Sequence, residues 1–426
     1  MEKLLPPQNG ATVVIVGAGP VGLMLACELA DAGIPLTVLE RAAEPSPMPK
    51  GNGLVGGIVP ILAKRGLLRG QKGLHVIPAP RYSFGPLPLR LNPLRPDALR
   101  ILPIPQRRLE QLLEARARAR GVDVRRGHAA TGFHDDGEGV HVDVASAGGG
   151  YSLASGFLVG CDGAHSFVRH HLAIDFPGTT GSQLVRIGHV TIPAGALRRS
   201  RNAVELPDGR RLPLFQPHHT PTGTLTIAPM AALDRSAAKD LYVIASQEPC
   251  GRQKSSAQIS LAEMEGSIER VLGTGLPISG GQWLRSTVGN SRLAARYRIG
   301  RVFLAGDAAH VFSAGGSSLN TGMLDAVDLA ARLAAVLGGE APMESLEDYH
   351  TVRHEAGEQT LLQTRAQAAL SASGPNAEAL RQVLGAAFRS RNAHRHLATL
   401  LIGEPAKEPR SRRRKDARGR RHPMDR

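Results

Sequence analysis

Large aromatic side chains are scarce in this sequence, with Phe, Tyr and Trp supplying 4% of 426 residues and Trp283 the single tryptophan. Packing must therefore lean on Leu, Val, Ala and Ile, within a hydrophobic content of 42% that is ordinary for a globular protein. Cysteine is scarcer still. Cys27, Cys161 and Cys250 lie far apart and form no Cys-x-x-Cys pair, which argues against a disulfide framework or a zinc site. No apolar run reaches the roughly 20 residues of a membrane span, and the N-terminus lacks the basic-then-apolar order of a secretory signal. A soluble cytoplasmic protein with no membrane partner is expected. Acidic residues are also in deficit, 37 against 52 Lys and Arg, giving a formal charge of +15. Much of that excess is Arg scattered through the chain rather than gathered in one stripe, so no nucleic-acid partner is expected. The densest basic run, Arg410 through Arg421, carries Pro, Gly and almost no apolar residues and reads as a disordered tail. The pairs His170-His171 and His218-His219 lack metal-ligand spacing, and no metal is expected.

What is present is organised around Val13-Val14-Ile15-Val16-Gly17-Ala18-Gly19-Pro20-Val21-Gly22, which continues to Leu36-Thr37-Val38-Leu39-Glu40. A β-branched run, a Gly-x-Gly-x-x-Gly turn, an apolar helix and a second strand ending in an acid follow in the order that dinucleotide binding requires. Gly17 permits the tight turn, Gly19 lets a pyrophosphate approach the backbone, and Gly22 allows helix to pack on strand. The helix N-terminus favours the phosphates. Glu40, eighteen residues after Gly22, is placed to accept from an adenosine ribose. An ordinary strand-to-helix crossover would not need all three glycines.

Further along, Lys50 and the glycine-rich stretch Gly51 to Gly57 lie where backbone can approach a ligand, and Ile58 to Leu68 reads as a helix ending near Gly66. Leu74 to Arg100 alternates in short, proline-broken runs that suit strands of a second region. Gln106 opens a helix with Leu109, Leu112, Leu113 and Ala117 at helical spacing. Val122–Val124 and Val140–Val144 read as strands joined by the turn Asp135-Asp136-Gly137. Phe157 to Cys161 is an apolar strand that ends in Asp162-Gly163, at the end where doubly wound sheets bind ligands. Phe176 to about Leu284 reads as mostly β with one helix, Leu261 to Leu272. A third strand, Val302 to Ala305, ends in Gly306-Asp307, and Ser313-Ala314-Gly315-Gly316-Ser317-Ser318-Leu319-Asn320-Thr321-Gly322 leads into a helix read as Met323 to Leu337. That helix's positive end points at the loop and suits an electron-rich ring system. Leu346 to Leu400 is helical in pattern, with a break at Ser373-Gly374-Pro375.

These three stations together resemble the FAD-dependent aromatic hydroxylases of the p-hydroxybenzoate hydroxylase type, from about Thr12 to about Leu370. Asn290-Ser291-Arg292, Tyr297-Arg298, Gly306-Asp307-Ala308-Ala309-His310, Leu319 to Gly322 with Asp325-Ala326, and Thr364-Arg365-Ala366-Gln367 are most similar to the aromatic polyketide hydroxylases of that group. The resemblance implies that Gly17, Gly19, Gly22 and Glu40, with Arg41 beside it, hold the ADP part of FAD. It further implies that Asp162 and Gly163 lie near pyrophosphate and nicotinamide, that Gly306 and Asp307 bind the ribityl chain, and that Gln106 contacts the same region. Gly315, Gly316, Leu319 and Asn320 complete the implied cofactor-binding set. No catalytic residue is assigned.

The implied fold is α/β, a Rossmann-like FAD-binding domain interleaved with a mostly β substrate domain and followed by a helical C-terminal part. Residues 10–75, 100–175 and 285–345 are expected to form the FAD-binding domain, 76–99 and 176–284 the substrate-binding domain, 346–403 the helical segment, and 404–426 the tail. The implied reaction is hydroxylation of a polycyclic aromatic substrate, with FAD as cofactor, NADPH or NADH as co-substrate, and a flavin C4a-hydroperoxide as oxygen donor. A monomer or homodimer is expected. Many members carry a C-terminal thioredoxin-like domain, and here only a short helical end and basic tail follow. The segment Ser313 to Ser318 departs from the family by lacking a proline and one residue. A Baeyer–Villiger-type oxygenase and a catalytically impaired flavin-binding protein are the alternatives on the same scaffold; a flavin halogenase needs a paired-tryptophan motif that Trp283 alone does not form.

Overall fold

The computed structural model describes residues 12–46, 51, 53–71, 73–79, 81–90, 99–200, 202–233, 237–250, 258–313 and 317–393. Strand β1 (Val13–Val16) is apolar throughout, and Val13, Val14 and Ile15 are fully buried. That is the environment of a parallel strand covered on both faces. Helix α1 (Pro20–Asp31) starts with Pro20, whose fixed φ suits the first helical position, and leads to β2 (Leu36–Glu40). Helix α2 (Gln106–Ala119) buries Leu109, Leu113 and Ala117 along one stripe, ahead of β3 (Asp123–Arg126) and β4 (Phe157–Gly160). The chain next forms β5 (Gly178–Thr191), β6 (Thr224–Pro229), β7 (Leu241–Pro249), α3 (Leu261–Leu272) and β8 (Gly280–Leu293). It returns through β9 (Arg298–Ile299), β10 (Val302–Leu304) and β11 (His310–Val311), and then α4 (Ser317–Leu337), α5 (Glu347–Ser371) and α6 (Pro375–Ala387) follow.

The first sheet has the order β9-β10-β4-β1-β2-β3, parallel except for β9. From β1 the chain steps outward to β2 and β3, and β4 then joins on the opposite side of β1. The carboxyl ends of β1 and β4 therefore form the topological switch point at which open α/β sheets bind ligands. The second sheet is antiparallel in the order β6-β7-β5-β8-β11, with the short strand His218–His219 outside β6. Leu225, Ile227, Ile244 and Val190 pack against Met264, Ile268 and Val271 of α3. Because strand side chains alternate, the opposite face carries Val185, Ile187, Val243 and Ala245, which stay half-buried. Ser260 caps α3 by accepting from the Glu263 N–H, and Gly273 ends it in the left-handed conformation.

The α/β class, the start of α2 at Gln106, the bounds of α3 and the break before Pro375 agree with the sequence reading. Two local expectations need correction. Helix α4 starts at Ser317, not Met323, so Leu319 and Asn320 belong to its first turn instead of a loop. Gly322 does not delay the helix; a Cβ there would come 2.8 Å from Gly306 Cα, so its role is to let α4 pass close to that turn. The turn at Asp135 to Gly137 joins strand His128–Asp135 to strand Val140–Ser146, and the first of these is concealed in sequence by the small run Ala129 to Gly132. Among the described residues no helix is long and apolar enough to cross a membrane, and no group of His, Cys, Asp and Glu is arranged to hold a metal ion.

Candidate functional site

At the switch point the structure brings together three turns. Gly17 takes a φ of +109°, and a Cβ on it would strike the Cys161 carbonyl oxygen. A Cβ on Gly22 would strike the Gly17 carbonyl oxygen. Both glycines are required by the packing of the chain on itself. Gly19 is different. Its φ of −78° is open to any residue, and a Cβ there would meet nothing within 4 Å. The protein fold has no need of glycine at this position, whereas a phosphate lying against the backbone at the N-terminus of α1 does.

Glu40, at the end of β2, reaches back to this turn. Its Oε2 accepts from the Ala18 N–H and its Oε1 from the Ala42 N–H, both at 2.9 Å. Each carboxylate oxygen retains further acceptor capacity. Arg41 lies exposed beside it.

The second turn follows β4. Asp162 Oδ2 accepts from the Val168 N–H at 3.2 Å, while Oδ1 is buried with no hydrogen-bond partner. Leaving a buried acceptor unsatisfied costs about 1–3 kcal/mol, so a donor from a bound molecule is the natural partner here. Gly163, at φ +87°, also has open space where a Cβ would be. Arg169 ties this turn to the third. It is 2% exposed, donates to the Ala164 and Ala308 carbonyls at 2.8 Å each, and lies 3.8 Å from the Phe176 ring centre. Burial lowers its pKa, against the opposing pull of Asp162.

The third turn, Gly306–Ala308, follows β10 and presents Asp307 at the surface. Gly306 has a φ of +63°, and a Cβ would press on Val21 of α1 at 2.8 Å. Beneath the turn Asp325 is fully buried, accepting from the Gly306 N–H at 3.1 Å, from His310 Nε2 at 2.7 Å and from Arg353 Nε at 2.8 Å. Burial pushes its carboxyl pKa up, but His310 and Arg353 outweigh this and hold it below the usual value. Alongside, Asn320 Oδ1 accepts from the Val55 N–H at 2.8 Å. Gln106 receives the same neighbourhood from α2, since a Cβ on Gly51 would lie 3.4 Å from Gln106 Oε1 and 3.8 Å from Leu319 Cδ2. The Gln106 amide donates to Glu110 at 2.8 Å.

Gly17, Gly19, Gly22, Glu40, Asp162, Gly163, Gly306 and Asp307 thus gather at the ends of β1, β2, β4 and β10, with Gln106, Leu319 and Asn320 clustered at the start of α4. Gly315, Gly316 and Lys50 lie outside the described residues. Arg169 and Arg353 are absent from the sequence-derived set, because hydropathy marks arginine as surface and the carbonyls and carboxylate they meet are far away in sequence. Asp325 and His310 stand inside motifs quoted for the resemblance, but nothing in their spacing identifies them as partners.

A family profile described as "FAD binding domain" matches residues 10–364. The 12-dehydrotetracycline 5-monooxygenase/anhydrotetracycline 6-monooxygenase of Streptomyces rimosus is 36% identical over 402 residues, covering 93% of this chain and 77% of that protein. Among solved structures, an aromatic hydroxylase from angucycline biosynthesis superposes with a TM-score of 0.79 at 30% identity, over 92% of this chain and 76% of that one. A Diels–Alderase from the pyrroindomycin pathway superposes with a TM-score of 0.80 at 31% identity, over 92% and 80%. The open space over Gly19 and the unpartnered Asp162 oxygen fit what FAD would bring to them, and with a match of this extent the chain belongs to the FAD-binding-domain family that contains the flavin-dependent aromatic polyketide hydroxylases.

Proposed function

We propose that this protein is a FAD-dependent monooxygenase that uses NADPH or NADH and dioxygen to hydroxylate a polycyclic aromatic substrate of the polyketide type. The observation that carries this reading is the meeting of the three turns at the switch point, with space over Gly19, an orphaned Asp162 oxygen and an exposed Asp307. Gly19 and the α1 N-terminus take the pyrophosphate, Glu40 the adenosine ribose, and Asp307 and Gln106 the ribityl region. Asp162 and Gly163 border pyrophosphate and nicotinamide. When bound and reduced by the nicotinamide, FAD would supply the activation of dioxygen for transfer to the ring. The chain's own part is to bind, orient and exclude water. The half-buried face of the second sheet, with Val185, Ile187, Val243 and Ala245, offers a flat apolar floor for fused rings. Gln247 opposite Val185 and Arg285 opposite Ile187 bring polar groups to the same face for phenolic oxygens. In this reading the protein works in the cytoplasm as a monomer or homodimer.

The similarity to a Diels–Alderase supports a second reading, in which the chain keeps the flavin fold but joins carbon to carbon without net oxidation. The absorption spectrum of the purified protein, followed by NADPH oxidation with and without polycyclic phenols, separates the two. Flavin bands and phenol-stimulated oxidation support the monooxygenase. Bound flavin without stimulated oxidation supports the second reading, and protein that takes up no FAD contradicts both.

A further inference from the structure

The turn bearing Asp307 is held from below by a charged group that FAD would not touch. Asp325 and His310 are each fully buried, and Asp325 spends one oxygen on His310 and the Gly306 N–H and the other on Arg353. Arg353 belongs to α5 and also donates to the Thr321 carbonyl of α4 at 3.3 Å. One helical turn earlier, Tyr349 donates its hydroxyl to the Leu304 carbonyl at 2.8 Å, at the last residue of β10. Helix α5 therefore grips the end of the strand directly and the following turn through Asp325. The Gly306 N–H is committed to the protein, which fixes the Ala305–Gly306 peptide at the entry to the turn, one peptide before Asp307.

A buried ion pair by itself is weak grounds for stability, since apolar replacements are often neutral. What distinguishes this one is its targets: besides His310, at the start of β11 just beyond the turn, Asp325 holds the Gly306 N–H of the turn itself and the arginine that aims the carboxylate. We propose that Asp325 and Arg353 are positioning residues for the flavin, with Arg353 setting Asp325 and Asp325 setting the Gly306–Asp307 turn that receives the ribityl chain. The inference rests on the flavin reading above.

The test titrates FAD into the full-length apoprotein, following flavin fluorescence and the visible spectrum of the bound form, with melting of each apoprotein measured alongside. Arg353→Met is expected to weaken FAD binding about tenfold, the scale of one charge-assisted contact, and to shift the bound flavin's absorption. It also leaves the buried Asp325 carboxylate without its arginine, so apoprotein melting falls as well, and the spectral shift of the bound flavin is the readout that a purely structural loss would not produce. Arg353→Lys keeps a charge within reach of Asp325 and is expected to stay within about threefold of the parent. The double variant Arg353→Met/Asp325→Asn should bind no more weakly than the weaker single variant, because the two residues act in series. Should Arg353→Met fail to fold, Arg353→Gln keeps a donor without the charge, and the same tenfold loss is expected of it. Parental affinity and spectrum in the folded variant, or single-variant losses that multiply in the double, would overturn the inference while leaving the flavin reading intact. A parent protein that binds no FAD overturns both.

Discussion

Three glycines in one motif do two different jobs, and substitution separates them. Gly22→Ala forces a methyl group onto the Gly17 carbonyl, so the apoprotein should lose about 1–3 kcal/mol of stability in urea denaturation, the range for overpacked sites. Gly19→Val adds a side chain into open space at an ordinary φ, so the apoprotein should lose no more than the roughly 1 kcal/mol of a poorer helix cap and yet take up no FAD. Equal flavin content in Gly19→Val and parent would show that the pyrophosphate lies elsewhere. Asp307 makes the complementary case. Its replacement by Ala should weaken FAD binding by about 1.5–3 kcal/mol, roughly tenfold to a hundredfold, with Asp307→Asn between variant and parent. If Asp307 only shapes its turn, melting temperature falls instead and the FAD dissociation constant stays put. Glycines and strand-end acids of this kind are legible in sequence because each function lies within a few residues of a strand it terminates. Arg169 and Arg353 are not, because a buried arginine is recognised by carbonyls and carboxylates that only the fold brings near.

Secondary elements follow the same division. Helices α2 and α3 are readable because a 3.6-residue apolar stripe, a serine cap and a terminal glycine are all local signals. The start of α4 is not. Its glycine is spent on close approach to Gly306, which only the neighbouring element reveals. Buried polar links between elements are expected to make the fold sensitive to acid. Asp325 joins α4 to α5, and Glu248 joins β7 to α3 through Arg270 at 2.7 Å and to Arg186 at 2.8 Å. Burial raises both carboxyl pKa values, but their arginine partners, with Ser267 at Glu248 and His310 at Asp325, bring each below its ordinary value of 4.5 or 3.8. The unfolded chain therefore binds these protons more tightly than the folded one. Their contribution is complete above about pH 5 and is lost as pH falls through the lowered folded values. Urea midpoints measured from pH 6 down to pH 3 should fall steadily, and Asp325→Asn should fall less steeply. An identical slope in that variant would remove Asp325 from the acid response.

On the scale of the whole molecule, two sheets meet where β11 leaves the Gly306–Ala308 turn and becomes the edge of the second sheet. The Gly306–Ala308 turn is thus continuous along the chain with the sheet that carries Val185, Ile187, Val243 and Ala245. The central claim is that this oxygen comes from dioxygen and enters an aromatic ring. Its most direct test incubates the FAD-loaded protein with NADPH, a panel of polycyclic phenols and isotopically labelled dioxygen, and reads the products by mass spectrometry. A product one labelled oxygen atom heavier than its substrate, formed only when NADPH is present, is the predicted result. A product of unchanged mass, or one formed without NADPH and carrying no label, would contradict it.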